Sequence, residues 1–345
     1  AAEQDLVVRL ARRLRLLARL AESLEAAGQL ANVPEAPRRH LLAERHVSRF
    51  RTAATRWALD RIRSVVEPAP FPLVLLKGAA YQAQALPIAP GRLPSDIDIL
   101  VPRAHLDRLQ RALVGDGWCE VPLDEHDQRY YREWSHELPP MRHALHPIEL
   151  DVHHDILPPV ARFHVDIDRL LAKVTACGWG GWHVLQPTDQ VLHSACHLFM
   201  DSQAHDRLRD LVDLDGLLRH FGAGPAFFDE LVERGAELGL AQPLALAAHF
   251  CTAWLDTPVP ESTRRILRGA MPGVIQRLWL TPSLAALLWP TSPDLPPSRA
   301  QRLASTLLLA RYHAQRMPLP MLAAHLWHKL RPRSSSPAAT PRPGA

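Results

Sequence analysis

Two carboxylates, Asp96 and Asp98, open a short apolar run and are the residues best placed to do chemistry. Side chains alternate across a β-strand, so both aspartates point to one face while Ile97 and Ile99 point to the other. Two carboxylates this close repel each other unless a cation lies between them. The spacing therefore predicts a site for one or two Mg²⁺ ions, which bind carboxylate oxygens together with substrate phosphates.

An earlier apolar run, Phe71–Leu76, ends in Lys77-Gly78 and predicts a buried strand that enters a tight turn. A short helix over 79–86 and a Pro/Gly-rich loop over 87–94 should connect it to the aspartates. Gly78 lets the backbone approach a phosphate. Lys77 either contacts that phosphate as a point charge or simply extends its amine from a strand end, and both interpretations stay open.

A third segment places Glu149, Asp151 and His153 in alternation with apolar residues. This pattern predicts a strand with one polar face. A solvent-facing edge strand shows the same alternation as a strand that carries a catalytic carboxylate, so the residues alone leave both interpretations open.

The ordered set of these segments resembles the DNA polymerase β-like nucleotidyltransferase superfamily. More narrowly, Leu76–Ala80, Arg92 and Ser95–Val101 are similar to a bacterial group of uncharacterised nucleotidyltransferase-family proteins. Its later segments are matched by Glu149–His153 and by Pro187 with the helix that follows. The resemblance covers roughly residues 45 to 220.

This resemblance implies Mg²⁺-dependent transfer of a nucleotidyl group from a nucleoside triphosphate, ATP among them, to a hydroxyl or phosphate of a small molecule, peptide or protein. Asp96 and Asp98 would be ligands shared by two Mg²⁺ ions, with Mn²⁺ as a substitute. Asp151 would be the third carboxylate, holding the metal that activates the acceptor hydroxyl, and Glu149 is the alternative on the same face. The nucleotide-binding residues would be Lys77, Gly78, Ala79, Arg92 and Ser95, with Arg92 either binding the triphosphate or bracing the aspartates.

The chain departs from the superfamily where a Gly-Gly or Gly-Ser pair is usual, because it has Gly78-Ala79. A second hypothesis therefore keeps the fold but transfers another group, such as a sugar from a nucleotide-sugar, in natural-product, peptide or polysaccharide tailoring. A third hypothesis is a non-catalytic binding or scaffold protein whose leucine-rich helices form the interaction surface.

Composition is that of a soluble globular protein of one or two domains, with 345 residues, 47% hydrophobic and 22% charged. The formal net charge of +4 suits a polyanion such as a nucleoside triphosphate but is too small to argue for duplex nucleic acid. The four cysteines are far apart and predict neither a disulfide framework nor a zinc ribbon. We find no signal-peptide pattern and no apolar run long enough for a bilayer, so we expect a cytoplasmic protein without a membrane partner.

The expected fold class is α+β, with a small mixed nucleotidyltransferase-like sheet, flanking helices, an N-terminal helical pair and a C-terminal helical domain. The predicted domains are N-terminal helices over 1–67, a catalytic core over 68–184, a helical domain over 185–330 and a disordered tail over 331–345. Leucines every three or four residues predict one amphipathic helix over 3–31. A second helix over 37–67 carries Val47, Phe50 and Trp57 on one face.

Helical segments follow Pro187, predicted at 188–202, 206–220, 226–237, 242–254, 261–269, 272–279 and 298–316. His193 and His197 stand four residues apart on the first of these. A His-x₃-His pair without the glutamate of a zinc protease is a weak metal signal, and packed histidines are the commoner outcome. The roles of these two residues and of His153 stay open.

Overall fold

The computed structural model describes residues 2–67, 69–122, 131, 135–145, 148–158, 164–200 and 204–316. Within these residues seven strands form one mixed sheet. The strands are β1 (Val74–Leu75), β2 (Asp96–Leu100), β3 (Trp118–Glu120), β4 (Met141–His143), β5 (Glu149–His153), β6 (Thr175–Ala176) and β7 (His183–Val184). Their order across the sheet is β3-β4-β5-β2-β1-β7-β6. Helices precede, flank and follow this sheet, which confirms the expected α+β class.

The helices of the described residues begin and end as follows: α1 (Ala2–Arg13), α2 (Leu17–Ala26), α3 (Glu35–Val66), α4 (Lys77–Ala83), α5 (Leu106–Asp116), α6 (Ile167–Leu171), α7 (Pro187–Phe199), α8 (Leu208–Phe221), α9 (Phe227–Glu237), α10 (Ala241–Leu255), α11 (Glu261–Ala270), α12 (Val274–Leu288) and α13 (Arg299–Arg316). Short 3₁₀ turns occur at Leu30–Asn32 and Arg103–His105.

The centre of the sheet is the parallel pair β2 and β5, in which Asp96 lies opposite Glu149 and Asp98 lies opposite Asp151. Strand β5 also pairs with β4 on its other side, so it is an interior strand. The edge-strand interpretation of its alternating pattern is therefore wrong. Opposed residues of neighbouring strands share a face, so the register brings Asp98 and Asp151 together on one surface of the sheet.

The N-terminal region differs from the single helix predicted over 3–31, because the chain breaks between α1 and α2. Arg15 adopts a left-handed backbone (φ 57°), which an α-helix cannot continue through. The leucine period does not reveal the break, since residues on both sides of it, Val8 and Leu17 among them, enter the same small core with Leu41 of α3.

Other elements differ in length or were not predicted. The strand expected over 71–76 is only the two residues of β1, and α4 begins early, at Lys77. Helix α12 extends past the predicted 279 to Leu288, with Pro282 inside it. Helix α6 and the β6–β7 hairpin were not predicted. The face of α3 that carries Phe50 and Trp57 is exposed rather than buried.

The main core is one continuous cluster of buried apolar side chains that runs from Ala58 in α3 to Leu308 in α13 and includes the sheet. The loop before β2 packs closely on α2. At Gly91, which has a positive φ, a Cβ would lie only 2.6 Å from the backbone of Ala18. Glycine is therefore required there by both backbone conformation and space.

No helix of the described residues is long and apolar enough to cross a membrane. The tail predicted over 331–345 lies outside the described residues. The proposed domain boundaries at 67 and 184 remain predictions.

A buried ion pair joins three helices, α6, α7 and α9. Asp189 in α7 accepts hydrogen bonds from Nε and Nη2 of Arg234 in α9, at 2.8 and 2.9 Å. The same Nη2 donates to the carbonyl of Arg169 in α6. Asp189 is fully buried and the Arg234 side chain is 5% exposed, so neither charge is compensated by water.

Replacing Asp189→Ala should lower the free energy of unfolding by about 2–3 kcal/mol, because it removes the fully buried partner of Arg234 and leaves that guanidinium only the partly exposed Glu237 as a carboxylate partner. Denaturant unfolding followed by circular dichroism measures this. The control is Glu261→Gln, which removes an exposed carboxylate paired with Arg264 and Arg268 and should leave the midpoint unchanged. Equal midpoints for both variants would show that the buried pair does not hold these helices together.

Candidate functional site

A cavity of about 610 Å³ opens beside the carboxylates of β2 and β5. Its lining from the sheet and neighbouring segments includes Lys77, Asp96, Asp98, Glu137, Asp151 and His153. Its lining from helices and helix junctions includes Arg13, Arg15, Arg92, Arg207, Arg209, Asp210 and Asp213. Acidic groups and arginines thus line one space of a size typical for small-molecule sites.

Asp98 is the most enclosed of the carboxylates of β2 and β5, with a side chain only 5% exposed. Its Oδ1 accepts hydrogen bonds from Lys77 Nζ at 2.7 Å and from His153 Nε2 at 3.0 Å. Burial alone would raise the pKa of Asp98, but the Lys77 charge and the bond from His153 hold it well below its ordinary value. Among the described residues, no side chain donates a hydrogen bond to Oδ2, so that oxygen is left for a ligand.

The pKa of Asp151, which lies opposite Asp98 in the register, is shifted in the other direction. Its Oδ1 is buried and has no hydrogen-bond partner among the described residues. Burial first, and then the negative charge of Asp98, raise the pKa of Asp151 to about 8. A buried carboxylate oxygen without a donor, next to an ionised carboxylate, is an arrangement that a divalent cation would stabilise.

The remaining carboxylates divide between the cavity and the surface. Asp96 lines the cavity and accepts a hydrogen bond from the Ser95 hydroxyl at 2.9 Å. Glu149 does not line it and instead binds Arg142 Nε at 2.6 Å near the surface. The structure therefore brings Asp96, Asp98 and Asp151 to one cavity and leaves Glu149, the alternative third carboxylate, outside.

A histidine links the carboxylates to a segment that the sequence did not single out. His153 Nδ1 lies 3.3 Å from Glu137 Oε2 while its Nε2 contacts Asp98. Burial alone would lower the pKa of His153, but the hydrogen bond to Asp98 and the charge of Glu137 raise it. His136, Glu137 and His153 also offer ligand atoms within 4.8 Å of one another, which gives the site nitrogen as well as oxygen donors.

The expected phosphate cradle at Gly78 is already filled by a side chain. A Cβ on Gly78 would lie 1.9 Å from Arg92 Nη1, so the glycine makes room for that guanidinium. Arg92 is buried, donates from Nε to Asp213 Oδ2 at 2.7 Å and lies over the Tyr81 ring. Among the described residues Arg92 therefore braces α4 against α8, and Lys77 pairs with Asp98.

Sequence reasoning missed the residues that α8 and its entry contribute. Arg207 Nε and Nη2 contact Asp210 and His197, each at 2.5 Å. Arg209 reaches Asp210 only at 3.3 Å and the Leu93 carbonyl at 3.4 Å. The signal available was the run of arginines and aspartates over 206–213 at a helix start, in a segment that the sequence analysis predicted only as a helix.

His193 and His197 lie on the face of α7 that packs near this site. Burial first, and then the positive charge of Lys77, lower the pKa of His193 to about 3. The same two causes lower the pKa of His197 well below its ordinary value. Both rings are therefore neutral packed groups at neutral pH, as expected for histidines enclosed in a core.

One family model, described as an uncharacterised nucleotidyltransferase, matches residues 1–256 of the chain. No curated protein and no solved structure matched the chain. The matched region includes the N-terminal helices, the sheet with its carboxylates and the arginine-bearing helix α8.

The His193→Gln variant should lose less stability on acidification than the wild type. The wild-type ring binds a proton in the unfolded chain below pH 6.5 but in the folded protein only near pH 3, so its contribution to the free energy of unfolding falls between these values. The two curves should differ in slope by about 1.4 kcal/mol per pH unit between pH 6 and 4. Urea unfolding across this range measures it, with constant m-values as the control. Parallel curves would contradict the burial of a neutral ring.

Proposed function

The chain belongs to the uncharacterised nucleotidyltransferase family, and we propose that it transfers a nucleotidyl group from a nucleoside triphosphate to a hydroxyl or phosphate of a small molecule, peptide or protein, with Mg²⁺ as the cofactor. The observation that carries this proposal is the opposed pair of Asp98 and Asp151 in β2 and β5. One of the two is ionised, and the other has a buried oxygen without a donor.

The proposed ligands are Asp98 Oδ2, Asp151 and Asp96, which line the same cavity. Lys77 and His153 both hold Asp98 by Oδ1, so they fix its orientation and leave the other oxygen directed elsewhere. When bound, divalent metal would neutralise the charge that develops on the phosphates and would activate the attacking oxygen. Mn²⁺ is the substitute we propose, because carboxylate oxygens suit it as they suit Mg²⁺.

The residues also give a reason to prefer an enzyme to a scaffold. Burying a carboxylate oxygen without a hydrogen-bond donor is costly, and the buried Oδ1 of Asp151 has no donor among the described residues. The interaction surface of a leucine-rich scaffold does not require a buried carboxylate, whereas binding of a metal ion would offset the free-energy cost of burying one. The cytoplasm is our proposed compartment, and the four free cysteines suit its reducing conditions.

Transfer of another group, such as a sugar from a nucleotide-sugar, is the second candidate. It is favoured by the occupied cradle at Gly78, because Arg92 lies where the superfamily brings backbone to the triphosphate. The mass added to the product separates the two reactions, since a hexose and a nucleotide differ. ATP and other nucleoside triphosphates are the donors to compare with nucleotide-sugars.

Asp98→Asn should reduce transfer by at least about 100-fold, because it removes a proposed metal ligand and its charge. The assay incubates the protein, Mg²⁺ and an extract of small molecules and peptides with a triphosphate labelled at the α-phosphate, and follows label in products. Glu149→Gln is the matched control, since Glu149 is opposite Asp96 in the register but outside the cavity. Thermal melting should show both variants folded.

Label transfer by Asp98→Asn at the wild-type rate would reject the site. If products gain the mass of a hexose with nucleotide-sugar donors and gain no mass with nucleoside triphosphates, the second candidate reaction would replace nucleotidyl transfer.

A further inference from the structure

The arginine wall, by which we mean Arg13, Arg15, Arg207 and Arg209, lines the same cavity as the carboxylates of β2 and β5. The first two bracket the break between α1 and α2, and the other two enter and open α8. These segments are about 190 residues apart in sequence, so the fold and not local composition concentrates the charges.

Two arginines of the wall have weak or no pairing with carboxylates among the described residues. Within the described residues, two aspartates serve these four arginines: Asp206 binds Arg13 at 2.7 Å, and Asp210 contacts Arg207 and Arg209. Arg15 makes no ion pair and no side-chain hydrogen bond within the described part of the chain. Two guanidinium groups, those of Arg15 and Arg209, are therefore poorly compensated.

Arg209 shows the consequence of this crowding. Its side chain is 15% exposed, yet its three contacts are all at 3.3–3.4 Å, the long end of the hydrogen-bond range. Burial first, and then the positive charges of Arg92 and Arg15, lower its pKa. Like charges held together in a partly buried place repel one another, and an anion between them removes that repulsion.

Backbone geometry adds to the same field. Helix α8 is 14 residues long, and no side chain caps its N-terminus at Arg207. The first amides of a helix lack intrahelical acceptors and carry a partial positive charge. Arg207 and Arg209 flank this end, so both side chains and backbone amides favour an anion with several oxygens.

We infer that the arginine wall is a binding site for an oligophosphate or phosphoryl group, with Arg15 and Arg209 as its principal ligands. The inference rests on the proposed function, whose substrates must bring such an anion into this cavity. Two sources share the chemistry: the terminal phosphates of the nucleotide donor, or a phosphoryl group on the acceptor. With Arg92 occupying the space beside Gly78, the wall is the cationic surface left to receive either one.

Calorimetric titration of inorganic pyrophosphate into the full chain tests the inference, with EDTA present so that no metal contributes. Arg15→Gln and Arg209→Gln should each weaken binding about tenfold, the loss of one charge-assisted contact. Arg12→Gln is the matched control, because Arg12 lies in α1 outside the cavity and pairs with Glu44. Arg15 is exposed, so its variant leaves the core untouched.

Two further titrations identify the source of the anion. If the donor supplies it, both substitutions should weaken the binding of ATP in the presence of Mg²⁺ by the same factor as they weaken the binding of pyrophosphate. If a phosphorylated acceptor supplies it, the affinity for inorganic phosphate should fall in both variants, while the affinity for ATP should stay at the wild-type value. Pyrophosphate affinity equal in Arg15→Gln, Arg209→Gln and Arg12→Gln, or absent from the wild type, would overturn the inference.

This failure is distinguishable from failure of the proposed function. Asp98→Asn should retain metal-free pyrophosphate binding, since the wall does not include it. If the protein transfers nucleotidyl groups but both arginine variants bind pyrophosphate with the wild-type affinity, the anion site at the arginine wall is rejected and the proposed function stands. Arginine-dependent pyrophosphate binding without transfer from any donor would keep the wall and reject the function.

Discussion

The buried negative charge of Asp98 is the constraint on which the site depends. An isolated carboxylate is very costly to bury, and it remains ionised here because Lys77 and His153 both donate to one of its oxygens. The backbone of Lys77 lies in the left-handed region (φ 44°), an arrangement that costs a non-glycine residue about 1–3 kcal/mol. The strain falls where β1 gives way to α4, at the residue whose amine reaches Asp98.

The same constraint explains why the neighbouring carboxylate differs. Lys77 and His153 are both engaged by Asp98, so no donor among the described residues reaches the buried Oδ1 of Asp151. Among the described residues, the sheet thus contributes a buried carboxylate oxygen without a donor, and the helical segments contribute Arg15 and Arg209 with weak or no carboxylate pairing. A metal–nucleotide complex carries both complementary charges, a cation for the carboxylates and phosphates for the arginines.

Local patterns in the sequence predicted the parts of the site that depend on one strand at a time. The alternation around Asp96 and Asp98, and again around Asp151, is a strand period that survives in the fold. The family resemblance implied Asp151 as a third carboxylate, but the register that sets it opposite Asp98 was not predicted. Contacts between residues far apart in the sequence could not be predicted from local patterns. Asp213 lies 121 residues from Arg92, and nothing in either segment indicates their contact.

Two further misses have other physical causes. The break at Arg15 is invisible because the leucine period continues on both sides of it into one small core. Glu137 lies in a polar stretch with neither a helical nor a strand period, so nothing there predicted its contact with His153.

The loop that precedes Asp96 accepts hydrogen bonds from arginines of three helices that are distant in sequence. Arg19 of α2 donates to the Ile88 carbonyl at 2.5 Å, and Arg51 of α3 donates to that of Pro94 at 2.9 Å. Arg209 of α8 reaches the Leu93 carbonyl between them. A proline-rich loop has few backbone donors of its own to hold its shape, so these arginines supply what a strand ladder would otherwise provide. The N-terminal helices therefore help to position the carboxylate of Asp96, because α2 and α3 hold the loop that leads into β2.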